Sequence, residues 1–327
     1  MTKRKNKEVV QIKKRLQLIE RITRIADTNI PVAEALLSQA LRPSVRINPL
    51  ADDSEKTLSE MKGLGWKGEA TAWCSNGYSI TEGFEALRDS SLVSSGKIYL
   101  QNEASWVPVV ALNSQPGETV LDLCAAPGGK TSHIATQMQH KGRLIANDNS
   151  RPRLIKLQHN LTRLHVTAEY TLHDGTRLSR AFPEPIFDKI LLDAPCSGEG
   201  LINLTQPKKL DSWSVAHIRR LSSLQKQLIS EAWKLLKPGG KLVYSTCTMA
   251  PEENEVVVDY LLKRHDDAVI VPITLSLDHT KPGLIAWNDR ALDPSLQHAL
   301  RLLPENGREA FFTSVIEKKD KDGHSNK

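Results

Sequence analysis

No two cysteines of this sequence stand close enough for a CxxC or zinc-finger spacing. The four are Cys74, Cys124, Cys196 and Cys247. That arrangement argues against a structural metal site and a disulfide scaffold, and for free thiols in a reducing compartment. No apolar run approaches the ~18 residues of a membrane span. The charged N-terminus lacks the apolar stretch of a secretory signal. A soluble cytoplasmic protein is therefore expected. The G-x-G-x-x-G string of dinucleotide-binding folds is also missing, which counts against an NAD-dependent oxidoreductase. Gly129-Lys130-Thr131 ends like a phosphate-binding P-loop, but Cys124 stands where its first glycine is required. Internal repeats and low-complexity segments are absent.

Charge is present but uneven. The net charge is +6. Residues 1–24 hold nine basic side chains (Lys3, Arg4, Lys5, Lys7, Lys13, Lys14, Arg15, Arg21 and Arg24) against Glu8 and Glu20. The rest of the chain is close to neutral. A basic leader on a neutral body has the form of a polyanion-binding element, although a solvated helical face has the same composition.

Over residues 8–40 the spacing is helical, with Val9, Ile12, Leu16, Ile19, Ile22 and Ile25 as one apolar stripe. Residues 41–100 read as a small α+β module, with a strand at 44–48, a helix at 56–64 and alternating stretches at 70–73 and 78–80. A helix over 103–112 opens a different pattern. Strands at 119–123, 143–147, 168–171, 186–193 and 241–246 alternate with helices at 129–138, 150–163, 214–236 and 251–264. A final strand pair lies near 270 and at 311–316. This alternation predicts an α/β fold with a doubly wound parallel sheet. Lys237-Pro-Gly-Gly240 reads as a helix stop and turn. The polar tail, 318–327, is expected to be disordered.

Small residues at Cys124-Ala125-Ala126-Pro127-Gly128-Gly129-Lys130 let a ligand approach the backbone where a strand gives way to a helix N-terminus. Asp148 ends the next strand about 20 residues on, where an acid can accept from both ribose hydroxyls of a nucleoside. Asp174 follows the third strand. Each acid alone suits a helix cap equally well, but three strand-end signals in register favour a nucleoside-bearing cofactor. Cys196, in Asp193-Ala-Pro-Cys-Ser-Gly198, and Cys247, in Ser245-Thr-Cys-Thr248, follow apolar strands. Both thiols are thus delivered to the carboxyl edge of the sheet, where such folds react. A buried cysteine is usually core filler; two in matched positions, one beside Asp193, point to chemistry. Which of them attacks is open on these grounds.

Together with Glu252-Glu-Asn-Glu255, the three stretches resemble the motifs of the Sun-domain RNA cytosine-C5 methyltransferases. Arg42-Pro-Ser-Val-Arg-Ile-Asn48, Gln101-Asn-Glu-Ala-Ser105, Asp148 to Arg153, Asn160 and Arg163 extend the resemblance over about residues 40–316. It implies a Rossmann-like class I methyltransferase sheet (101–317), a smaller N-terminal α+β RNA-binding domain (41–100) and a basic helical segment (1–40). It implies S-adenosyl-L-methionine as cofactor, cradled by Cys124–Lys130, with Asp148 on the ribose, Arg153 beside it, Asp174 near the adenine and Asp193 at the methionine end. Cys247 would be the nucleophile, Cys196 would assist release, and Asp193 would act at the base. The implied partner is RNA, ribosomal before transfer RNA, bound by a monomer with the basic leader, Arg42 and Arg46 on phosphates. Two departures touch the last strand: Glu309-Ala-Phe-Phe312 has Ala where the family has Gly, and Glu305 follows Arg301-Leu-Leu-Pro where a His is usual. The competing reading, an inactive methyltransferase-like RNA-binding assembly factor, would tolerate a lost thiol or a broken loop; both are intact.

Overall fold

The structure, a computed structural model, describes residues 2–206, 210–305 and 307–320, with side chains from residue 9 onward. It begins with a long helix, α1 (Thr2–Ala26), and a short one, α2 (Ile30–Leu36). The helical spacing read over 8–40 is thus interrupted. Asp27 takes a φ of 49°, and Asn29 caps α2 by accepting from the Val32 N–H. Pro31 lacks the N–H that a helix running on from α1 would need.

The apolar stripe of α1 divides as well. Leu18, Ile19, Ile22, Ile25 and Ala26 are buried, whereas Val9, Ile12 and Leu16 are more than half exposed. Only the C-terminal half of the helix lies over the body. There it joins the main core with Leu204, Leu210 and Trp213.

A three-stranded antiparallel sheet follows. β1 (Ser44–Ile47) runs between β2 (Gly77–Ser79) and β3 (Ile98–Leu100). Helices α3 (Ser54–Gly63), α4 (Phe84–Arg88) and α5 (Ser91–Ser94) contribute Met61, Leu87 and Leu92 to its small core.

After α6 (Val107–Leu112) the chain enters the large sheet. In order come β4 (Thr119–Asp122), α7 (Gly129–Met138), β5 (Arg143–Asn147), α8 (Arg151–Arg163), β6 (Glu169–Thr171) and β7 (Phe187–Asp193). Then follow α9 (Val215–Leu235), β8 (Leu236–Thr246), α10 (Glu255–Leu262), β9 (Ala268–Val271) and β10 (Thr280–Pro282). A hairpin of β11 (Ala286–Trp287) and β12 (Arg290–Ala291) precedes β13 (Leu300–Leu302) and β14 (Phe311–Lys318). Among the described residues the sheet has nine strands, ordered β10-β13-β14-β8-β7-β4-β5-β6, with β9 also paired to β14. Strands β8, β7, β4, β5 and β6 are parallel, and β14 closes antiparallel on β8. The chain winds outward through β4, β5 and β6, then returns to the other side of β4 as β7. The switch point is therefore between β4 and β7, where such sheets open a crevice for ligands.

Three sequence expectations are corrected here. Lys237–Gly240 is not a free turn: β8 begins at Leu236, pairs with Phe187, and shifts register before Lys189 meets Lys241. The helix expected from 251 starts at Glu255, because Pro251–Asn254 form a turn whose side chains reach other segments. Within the expected disordered tail, Lys318 closes β14 and its Nζ donates to the carbonyls of Trp233 and Leu236. Residues 321–327 lie outside the described residues.

Candidate functional site

The loop from β4 to α7 is anchored from several sides. Arg46 of β1 is 1% exposed, and its Nη2 donates to Ser132 Oγ (2.7 Å) and the Gly129 carbonyl (3.3 Å). It therefore braces the loop and is not available to phosphate, contrary to the expectation from charge. Asn160 Nδ2 donates to the Pro127 carbonyl at 2.9 Å. Asp148, with no exposed side-chain surface, accepts from the N–H groups of Ala126 (3.3 Å) and Ser150 (3.0 Å) and pairs with Arg153 at 3.2 Å. Asp122 takes a hydrogen bond from Thr131 Oγ1 at 2.7 Å, and burial pushes its carboxyl up to about 7. The loop passes so close to the N-terminal module that a Cβ on Gly129 would lie 2.7 Å from the Tyr99 ring.

At the end of β7, Asp193 is fixed by two partners. Lys130 Nζ lies 2.8 Å from Oδ2, and Ser245 Oγ donates to Oδ1 at 2.9 Å. The second bond follows from register, since Asp193 and Ser245 are paired across β7 and β8. Burial alone would lower the Lys130 ammonium, but Asp193 raises it overall, with Cys247 and Asp122 adding to the effect. Lys130 also lies 5.2 Å from the Phe311 ring centroid.

The two thiols meet. Cys196 Sγ and Cys247 Sγ are 3.3 Å apart. Contact with Cys247, then burial, raises Cys196 well above the usual thiol range, with Glu253 and Asp193 in support.

Behind the thiols, Pro251–Glu255 cross-braces both cysteine loops. Glu252 pairs with Arg21, and Glu253 accepts from Ser197 N–H (2.9 Å) and Gln225 Nε2 (2.8 Å). Asn254 bonds Thr246 and Thr248, and Glu255 pairs with Arg301. By sequence these residues belong to a family-like motif, with no contacts assigned. Burial pushes Glu253 up to about 7 despite its donors.

A cleft of about 300 Å³ joins these parts; it is lined by Cys124, Ala126, Asp148, Arg153, Asp174, Asp193, Cys196 and Cys247. Small-ligand sites of this kind are concave, mostly apolar and marked by a few placed polar groups. Asp174 caps its own 3-10 turn by accepting from Thr176, which lowers its carboxyl. Ala125, Pro127, Gly129 and Lys130 face a smaller hollow with Tyr99, Gln101 and Asp122. Gly128 packs against Leu157 and Leu161 instead. Leu123, Asn147, Asn149, Gly175, Ala194, Pro195, Leu224 and Leu228 were not assigned to the site from sequence, and these also line the main cleft. Leu224 and Leu228 are i, i+4 neighbours on α9 and read as ordinary core; their turn toward the cleft depends on how that helix packs.

The residues suit a nucleoside-bearing sulfonium. The acid Asp148 stands at one end, Leu224 and Leu228 form an apolar wall, and the thiols stand at the other end beside Asp193. Asp122 Oδ1 and Gln101 Oε1, buried along the adjoining hollow, have no hydrogen-bond partner among the described residues.

The departures in the last strand have local explanations. Ala310 is fully buried against Gly200, where a Cβ on the glycine would lie 2.4 Å from the Ala310 carbonyl oxygen. Glu305 pairs with His279 at 2.6 Å.

Comparison with known proteins gives a consistent result. Residues 109–317 match the family described as 16S rRNA methyltransferase RsmB/F. The chain is 39% identical over 311 residues to a tRNA (cytosine(49)-C(5))-methyltransferase of Pyrococcus abyssi, covering 92% of this chain and 96% of that protein. It is 39% identical over 237 residues to the ribosomal RNA small subunit methyltransferase F of Shewanella piezotolerans, covering 71% of this chain and 50% of that one. The chain thus spans about half the length of this bacterial relative. A solved structure of a methyltransferase homolog protein from Pyrococcus horikoshii superposes with a TM-score of 0.77 at 33% identity, covering 88% of this chain and 90% of that one.

Proposed function

The chain belongs to the RsmB/F methyltransferase family, and from that premise we propose that it methylates cytosine C5 in RNA, with Cys247 as the attacking thiol. The fold is the Rossmann-like class I sheet, and the family's methyl donor is S-adenosyl-L-methionine. The observation that carries the reading is the convergence of Cys247, Cys196 and the Lys130–Asp193 pair at one switch-point cleft.

Cytosine C5 is a poor nucleophile. Addition of the Cys247 thiolate to C6 turns the ring into an enamine whose C5 can take a methyl group, which is covalent catalysis. When bound, S-adenosyl-L-methionine supplies the electrophilic methyl. Asp193 offers a carboxylate to the exocyclic amine. Lys130, held by Asp193, sets a positive charge where the ring gains negative charge. Expulsion of Cys247 requires loss of the C5 proton. Cys196, 3.3 Å from the leaving sulfur, would help a water in the cleft take that proton. The target base must be unpaired or flipped out to reach the cleft. Leu224 and Leu228 would wall the cofactor, Asp148 and Arg153 would hold its ribose end, and Asp174 would lie toward the adenine.

Small-subunit ribosomal RNA is the first proposed substrate, from the family description. Transfer RNA is the second, favoured by the end-to-end match to the archaeal enzyme. We place the reaction in the cytoplasm; among the described residues no helix is long and apolar enough to cross a membrane. Bisulfite sequencing of total RNA from a deletion strain distinguishes the substrates by the cytosine that loses protection. Purified protein with S-adenosyl-L-methionine and that RNA should form 5-methylcytosine. Cys247→Ala should fall to background, and Cys196→Ala should accumulate a covalent RNA adduct on denaturing gels. An adduct with Cys247→Ala instead would reverse the two roles. Wild-type protein that binds RNA but never methylates it would favour the assembly-factor reading.

A further inference from the structure

Arg21 of α1 was counted with the basic leader, yet it is 9% exposed and points inward. Its Nη1 and Nη2 grip Glu252 at 3.1 and 2.7 Å, a bidentate pair. Its Nε lies 3.9 Å from Glu199 Oε1. Each of these acids belongs to one cysteine loop. Glu199 follows Cys196 by three residues, is fully buried, and accepts from Trp213 Nε1 (2.8 Å) and Thr248 Oγ1 (3.3 Å). Thr248 directly follows Cys247 and also meets Ser197 Oγ at 2.9 Å. Glu252 adjoins Glu253, whose carboxylate holds the Ser197 N–H. Three carboxyl groups from two loops therefore converge behind the thiols. Among the described residues, Arg21 is the cation in ion-pair reach of Glu199 and Glu252.

A bidentate guanidinium–carboxylate pair fixes direction as well as distance. Removing one partner of a buried pair leaves an uncompensated charge, which is far more disruptive than losing a surface pair. Without Arg21, the guanidinium link that joins the Glu199 loop to the Glu252 loop is lost. We infer that Arg21 is a positioning residue of the thiol site, holding the Cys196 and Cys247 loops together from an N-terminal helix outside the methyltransferase sheet. The kinetic part of this inference rests on the methyltransferase reading; the geometric part does not.

Full-length Arg21→Met and Arg21→Lys test it, with Arg24→Met as the control. Arg24 lies over Trp287 and bonds Asn288 without touching either acid. Mild oxidation with diamide, read by peptide mass spectrometry, reports whether the two sulfurs can meet. The wild type and Arg24→Met should form the Cys196–Cys247 disulfide readily, and Arg21→Met should form it at least tenfold more slowly. In methylation assays Arg21→Met should lose about 10²-fold in kcat, the scale of a 1 Å misplacement, with KM for RNA within about twofold. Arg21→Lys, which keeps the charge but not the fork, should recover part of both. Melting curves stabilised by S-adenosylhomocysteine give the folded fraction, so that rates are expressed per folded molecule. An unchanged disulfide rate, or an unchanged kcat per folded molecule, would overturn the inference. So would a raised KM with a reduced salt slope, which would make Arg21 a phosphate contact. Normal disulfide behaviour across the variants with no methylation even by the wild type would defeat both readings. A disulfide loss confined to Arg21→Met, again without wild-type methylation, would remove the proposed reaction and leave the positioning role.

Discussion

At Glu253 a buried carboxyl is raised from 4.5 to about 7. A raised acid binds, in the fold, a proton that the unfolded chain releases near its ordinary value. Its stabilising contribution is complete below about 4.3 and is lost as pH climbs to about 7. Glu253→Gln removes that titration. The stability of the variant relative to wild type should therefore rise between pH 4.5 and 7.5, by roughly 3 kcal/mol at most. Urea melts at the two pH values measure the difference, and a flat result would return the carboxyl to its ordinary range. Asp148→Ala should weaken S-adenosylhomocysteine binding by about tenfold or more, from the loss of charge-assisted bonds; isothermal titration would show it. At this scale the thiols and Asp148 were legible, because each ends an apolar run. Ser245 and Gln225 were not. Ser245 reaches Asp193 only through the β7–β8 register, and Gln225 reaches Glu253 only through the rotation of α9.

Between residue and fold, the element most changed by the structure is the stretch before α10. Its Pro-Glu-Glu-Asn-Glu sequence looks like a helix entry, yet each polar side chain from Glu252 to Glu255 serves a different tertiary partner. Local propensity carries no information about such partners. By contrast, α7 and β5 fall on the expected residues, 129–138 and 143–147, because periodicity and loop chemistry agree there. A close contact of backbones makes a prediction at this scale. Gly200→Ala places a methyl group 2.4 Å from the Ala310 carbonyl oxygen and must displace either the Cys196 loop or the start of β14. A loss of about 1–3 kcal/mol is expected, as for other overpacked sites, with reduced activity at temperatures where the protein stays folded. Unchanged melting and turnover would mean that the two segments part freely.

For the whole molecule, the small sheet and the N-terminal helices are fastened to the methyltransferase sheet. Asn48 bridges the carbonyls of Gly96 and Leu164 at 2.9 and 2.8 Å, and Arg46 holds the start of α7. Composition alone suggested an RNA-binding arm. Arg21 and Arg46 instead act inside the protein, and Arg15 pairs with Glu34. Charge counts cannot separate a buried cation from a solvated one. Deleting residues 1–28 should cost several kcal/mol, since Leu18, Ile19, Ile22 and Ile25 each bury a side chain worth about 1.5–3 kcal/mol. Thermal melts should show the truncated protein unfolding far earlier than the full chain, and equal melting would sever the helix from the core.

Strand β14, which lies beyond position 310 in the sequence, is inserted between β8 and β13 and does not lie at a margin of the sheet. It pairs with β8 from Lys241 to Thr246, the residue before Cys247, and brings Phe311 to Lys130. During synthesis the thiol-bearing strand is therefore an open edge, with unpaired backbone groups along one side, until residues 311–318 have left the ribosome. Nascent chains that extend past residue 247 but not to 311 already carry both cysteines, but on an unfinished sheet. The two thiols are brought together on a finished sheet only after residues 311–318 have been made.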